Sequence, residues 1–210
     1  MAPSAAGILD VLRSTDNFQW YVIPLFALVV YVYAVEAEKK NFAIILGGLA
    51  WWGMDWFNEI VNSIIFHVTG FAPLWGVAKS SAYVILIGLN IEICFMFAVA
   101  PIAFIKLLPA DKAMKILGIP NRWFMIVFGS LFCVFVEILL NLAGALTWEW
   151  SFWNAHFPVL IVLFGYMTFF IAAFMVYDMK SMRSRLLTVS AIYGVDLALL
   201  CIFGCWLGWL

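Results

Sequence analysis

The chain is 210 residues long, 67% hydrophobic and 18% aromatic but only 11% charged, with a mean hydropathy of +1.07. Soluble domains average ~45–50% apolar and ~25% charged residues, so this composition belongs to a bilayer and excludes an ordinary water-soluble fold. A net charge of −1, built from few charges of both signs, excludes the broad basic surface that binding nucleic acid requires.

Residues 1–17, MAPSAAGILDVLRSTDN, have neither a basic n-region nor a continuous apolar core, so they are expected to form a short interfacial segment rather than a cleaved signal peptide. A hydrocarbon core of ~30 Å needs ~20 apolar residues per helix, and six stretches approach that length: about 18–36, 42–66, 83–107, 123–146, 157–177 and 186–210. The expectation is an all-α polytopic membrane protein, with a six-helix transmembrane domain over 18–210. Short loops punctuated by Gly70, Pro73, Pro109, Gly118 and Pro120 leave no room for a second domain. Cys94, Cys133, Cys201 and Cys205 fall at apolar depth and read as packing residues.

Lys39, Lys40, Lys106, Lys112, Lys115, Arg122, Lys180, Arg183 and Arg185 collect at one set of helix ends, against Arg13 and Lys79 at the other. By the positive-inside rule both termini are expected to be non-cytoplasmic, on the same side as loops 67–82 and 147–156.

Ionisable residues inside the spans are the informative ones. Each costs at least ~2.5–3.5 kcal/mol on insertion scales and normally faces a partner or a cavity. Asp55 and Glu59 on the second span, Glu92 on the third, Glu137 on the fourth and Asp196 on the sixth all lie within about two turns of the midplane at ~1.5 Å per residue. Asp55, Glu59 and Asn62 follow i, i+4, i+7 spacing and share a face, which Trp51 extends inward. Ser130, Cys133, Glu137, Asn141 and Gly144 make a matching stripe on the fourth span. On the third, Asn90 and Glu92 cannot share a face, and Glu92 is expected to point at the other stripes while Asn90 caps.

No Lys or Arg lies at that depth. A carboxylic acid kept neutral by its surroundings is a proton donor, and a neighbouring acid that stays ionised can act as base. The plainer alternative is that these carboxyls and amides hydrogen-bond the helices together, at about 0.6–2 kcal/mol each. The loop TWEWSFWNAH, 147–156, packs Trp148, Trp150, Trp153 and His156 at the boundary. It is read either as an interfacial aromatic belt or as a lid over a cavity floored by the acids, where aromatic faces would steady positive charge.

A di-metal carboxylate centre lacks its Glu-x-x-His pairs, and a haem lacks suitably placed histidines, since only His67 and His156 exist and both sit near the surface. No metal or cofactor is therefore expected. There is also no phosphate-binding loop, nucleophile elbow or Cys-x-x-Cys pair.

The run EIVNSIIF, Glu59 to Phe66, following the tryptophans of the second span, resembles the second-helix motif of the small integral-membrane terpene cyclases of fungal meroterpenoid and indole-diterpene pathways. GLNIEICFMFAVAP, 88–101, is loosely similar as well. The resemblance implies that Glu59 is the acid that protonates an isoprenoid epoxide or olefin, with Asp196 in the last helix as the second carboxyl. That family is usually described with seven helices, one more than the spans counted here.

The leading expectation is an enzyme performing acid/base cyclisation or isomerisation on a lipid-soluble, isoprenoid- or sterol-like substrate. Glu59 would be the acid, Asp55 its tuning partner, and Glu92, Glu137 and Asp196 the residues sharing protons. Trp51, Asn62, Asn141, Trp150, Trp153 and His156 would line the pocket. The alternatives are a proton-coupled carrier using the same acids as a relay, and a non-catalytic subunit of a membrane complex. Gly204 and Gly208 form a small-residue patch suited to homo- or hetero-oligomerisation.

Overall fold

In lipid every backbone polar group needs an internal partner, and this chain meets that demand mainly with helices. The computed structural model describes residues 1–16, 18–77 and 81–210. Lys79, one of the two basic residues assigned to the outer side, lies outside the described residues.

Helix α1 (Pro3–Val11) starts on a proline, whose fixed φ and missing N–H suit a first turn. It lies against Phe66, Ala72 and Ile87 through its buried Ala5 and Ile8. Helix α2 (Val22–Glu38) stops where Lys40 takes a left-handed φ of 58°. Helix α3 (Phe42–Thr69) follows, 28 residues or about 42 Å long, and ends on Gly70 in the left-handed conformation that glycine adopts without steric cost.

Helix α3 is the axis of the molecule, packing on α4 (Ile91–Lys106), α6 (Met167–Asp178) and α7 (Met182–Leu199). Its glycines permit the close approach. A Cβ on Gly47 would sit 2.7 Å from Ile105 Cδ1, and one on Gly53 would sit 2.7 Å from Ile192 Cγ2. Helix α5 (Asn121–Leu142) packs on α6 and on a π-helical segment, Ile161–Tyr166, that leads into it. A second π-helical segment, Leu200–Trp206, continues α7.

The third expected span is helical over a shorter stretch. Residues 83–90 form a hairpin, β2 (Val84–Leu86) with β3 (Leu89–Asn90), and α4 begins only at Ile91, where the Asn90 side chain accepts from Ile93 N at 2.8 Å. A short apolar run such as VILIGL fits strand or helix equally by periodicity, and the Asn90 cap decides the boundary. Between α4 and α5, β4 (Lys115–Ile116) and β5 (Ile119–Pro120) pair across Leu117 and Gly118, both at positive φ, as a two-residue hairpin turn requires. At the opposite end of the helices, β1 (Gly76–Val77) pairs antiparallel with β6 (Leu146–Thr147), Gly76 opposite Thr147, tying two distant loops together.

By length and composition three helices can cross a membrane: Asn121–Leu142, Ile161–Asp178 and Met182–Trp206. Helix α2 has 17 residues and α4 has 16, at and below the usual ~17–25, while α3 is long enough but carries Asp55, Asn58, Glu59 and Asn62.

The two ends differ in character. At one, Lys106 pairs with Glu36, and Lys112 and Arg122 pair with Asp178, the latter through two N–H donors at 2.9 and 3.0 Å. At the other lie both termini: Ala2 N donates to Phe71 O at 2.8 Å, and Trp209 stacks on His67. The ion-paired loops and the two termini thus lie at opposite ends of α3.

Candidate functional site

Asp55 and Glu59 emerge one turn apart from the middle of α3, each only 3% exposed. Asn62, one turn further out and fully buried, does not face the hollow beside them but fixes the loop above it. Its Oδ1 accepts from Leu74 N and its Nδ2 donates to Trp75 O, both at 2.7 Å. Held this way, Trp75 donates its indole N–H to Glu59 Oε1 at 2.8 Å and stacks on Trp153 with ring centres 5.7 Å apart. Gly88 closes from the side, where a Cβ would come within 2.6 Å of Glu59 Oε2.

The third acid arrives on α5. Glu137 accepts from the Tyr166 hydroxyl at 2.9 Å, and Tyr166 is delivered by the π-helical segment. Such segments displace backbone carbonyls from the regular ladder, and Asn58 of α3 donates to the carbonyls of Phe164 and Gly165 at 3.3 and 3.4 Å. Asp55, Glu59 and Glu137 therefore converge on one cavity of about 600 Å³, counted with its opening, whose walls include Trp75, Phe97, Trp153, Tyr166 and Phe169. Glu59 Oε2 and Asp55 Oδ2 are buried with no hydrogen-bond partner among the described residues.

Several expected residues lie elsewhere. Glu92 does not point at the other acids: in the first turn of α4 it accepts from the Tyr21 hydroxyl and, at 3.0 Å, from Ala82 N. Asp196 lines a groove with Trp52, Trp56 and Tyr193 on the far side of α3. Trp51 sits in an aromatic core with Phe97, Phe104, Phe169 and Phe170, 4.4 Å from the Phe170 ring. Asn141 holds the end of α5 by donating to Leu146 O at 2.9 Å. Trp150 donates to the carbonyls of Ala72 and Pro73, both at 3.1 Å, and His156 is exposed. Of the aromatic loop, only Trp153 reaches the cavity wall.

Asn58 is one of the polar residues of the stretch 55–67, and Trp75 belongs to the loop that faces the aromatic segment 147–156, so both carry a sequence signal. Gly88 and Tyr166 are site residues that spacing does not single out, although a buried tyrosine hydroxyl needs a partner.

The chain matches an uncharacterized membrane protein family over residues 2–205. It belongs to that family. A relative from the archaeon Archaeoglobus fulgidus, an uncharacterized protein, is 48% identical over 202 residues, or 96% of each chain. A second uncharacterized protein of the same organism is 53% identical over 53 residues, 25% of this chain and 95% of its own. No solved structure matches. For this member of the family, chemistry must be read from the cavity: three acids, two with an oxygen free for a ligand, enclosed by aromatic faces and one tyrosine hydroxyl.

Proposed function

We propose that the protein is a membrane-embedded enzyme performing acid/base cyclisation or isomerisation on a lipophilic isoprenoid- or sterol-like substrate. The observation that carries the proposal is Glu59: Trp75 holds one carboxyl oxygen, and the other is buried, unpartnered and at the wall of an aromatic cavity that also contains Asp55 and Glu137. A neutral Glu59 would pass its proton to an epoxide oxygen or olefin carbon. The C–O or π bond would break to leave a carbocation, which an internal olefin captures. Loss of a proton to Asp55 or Glu137 would then end the reaction. The net change is an isomerisation, redox-neutral, so this chemistry calls for no cofactor. Trp75, Phe97 and Trp153 would stabilise the cation through their ring faces.

The resemblance to membrane terpene cyclases supports Glu59 as the acid. It is the position of Asp55 and Glu137 in the same cavity that favours them over Asp196 as the second carboxyl. The proposal includes six membrane crossings, with both termini non-cytoplasmic. It also includes self-association over Gly204 and Gly208, supported by the exposure of the last span, 11% buried against 50% for Ile161–Asp178. A proton-coupled carrier is the second reading, favoured by the placement of acids on two faces of α3: Asp55, Glu59 and Glu137 at the cavity and Asp196 at the groove beside Trp52 and Trp56.

The test is product formation by the purified protein in lipid nanodiscs supplied with terminal epoxides of linear isoprenoids. Cyclised product that vanishes in Glu59→Gln is expected. Unchanged turnover in Glu59→Gln would remove the proposal.

A further inference from the structure

Met96 of α4 is shared by two hollows. On one side it lines the acid cavity beside Ile93 and Phe97. On the other it lines an apolar groove between α2 and α4, walled by Leu25, Leu28, Val29, Val99 and Ala100, with a volume of about 640 Å³ counted with its open side. Met96 is itself 46% exposed, and an unbranched thioether swings between rotamers at little cost.

The outer, loop-covered mouth of the cavity is closed in layers. Trp75 stacks on Trp153, Trp150 is pinned to the carbonyls of Ala72 and Pro73, β1 pairs with β6, and α1 lies across them with Ser4 bonded to Glu149. The side wall is different. Val136 and Leu140 of α5 line the cavity together with Met96 of α4, and their neighbours Phe135 and Leu139 are largely exposed. Glu137 lies between these two α5 residues and is half-buried. Glu92, bonded to Tyr21 and Ala82 N, puts a polar group at the end of the α2–α4 groove where α4 begins, so an apolar chain lying there runs along α4 past Met96 and Ala100.

We infer that the substrate reaches the acids sideways from the bilayer, between α4 and α5. The α2–α4 groove holds the unreacted part of a linear isoprenoid chain whose reacting end passes over Met96 into the cavity. The inference rests on the acid-catalyst reading for which end reacts. It adds that the substrate is longer than the cavity alone accommodates, and that the bilayer is its source.

The full-length protein in nanodiscs would be illuminated with geranylgeraniol carrying a diazirine beside its hydroxyl, and the modified peptides mapped by mass spectrometry. Modification concentrated on Leu25–Val29 and Phe95–Ala100 is expected, falling several-fold in Ala100→Trp. Leu28→Trp fills the groove from the opposite wall and should do the same if the first variant fails to fold. Modification on loop 147–156, equal modification over the lipid faces of α5 and α7, or no modification at all would overturn the route. Labelling should persist in Glu59→Gln, because it reports occupancy while turnover reports chemistry. A failed route and a failed acid are thereby told apart.

Discussion

The indole N–H of Trp75 meets Glu59 Oε1 at 2.8 Å, although the two residues belong to different elements and only one oxygen of the carboxyl is engaged. A fixed donor on one oxygen orients the other toward the cavity, an arrangement that positions an acid without consuming its reactive atom. Under the proposed function, Glu59→Gln keeps the size and the acceptor for Trp75 but loses the transferable proton. Turnover should fall by the ~10²–10⁴-fold that general-acid catalysis contributes, with thermal unfolding in detergent unchanged. Trp75→Phe should lower turnover less, since it removes orientation and leaves the proton.

Gly88 tests the same geometry from outside. A Cβ there would lie 2.5 Å from Trp75 Nε1 and 2.6 Å from Glu59 Oε2, so Gly88→Ala must push both groups apart. Product formation should drop while the protein still inserts and unfolds cooperatively. Wild-type turnover in Gly88→Ala would mean that the Trp75–Glu59 contact is dispensable.

Asn62 carries the loop that carries Trp75. Replacing it with Ala leaves Leu74 N and Trp75 O without their partner in a buried setting, a loss of about 1–3 kcal/mol. The melting temperature should fall. Asn62→Asp should recover less than wild type, because a carboxylate cannot donate to Trp75 O.

Gly129 is a packing control remote from the acids. Its Cβ would come within 2.2 Å of Phe170 Cζ, where the ring is fully buried, so Gly129→Ala should cost about 1–3 kcal/mol by overpacking α5 against α6. Thermal unfolding measures it. A neutral result would mean that these helices stand further apart than described.

Topology is open to direct labelling. Single cysteines in the Lys112–Arg122 loop should react only from the cytoplasmic face, and those in 147–156 only from the opposite face. The reverse pattern would invert the orientation.

The acid face of α3 was legible in the sequence because a helix repeats every 3.6 residues, so Asp55, Glu59 and Asn62 had to share a side whatever surrounded them. The same regularity, with the distribution of Lys and Arg, separated the basic loops from the termini. What spacing could not supply was the choice of neighbour. Glu92 and Asp196 sit on helices of the right depth and still miss the cavity. Helix α4 begins at the Asn90 cap with Glu92 in its first turn, bonded to Tyr21 and Ala82 N, and α7 packs Ile192 and Tyr193 against Gly53 of α3. Trp75, Gly88 and Tyr166 enter the site from a loop, a hairpin and a π-helical segment, three places where the backbone leaves the periodicity that makes a helix readable. Composition and period determined that this is a helical membrane protein with acids at depth. Which acids meet was decided by helix packing, glycine contacts and loop pairing, because these long-range interactions set the angle at which each helix presents its face.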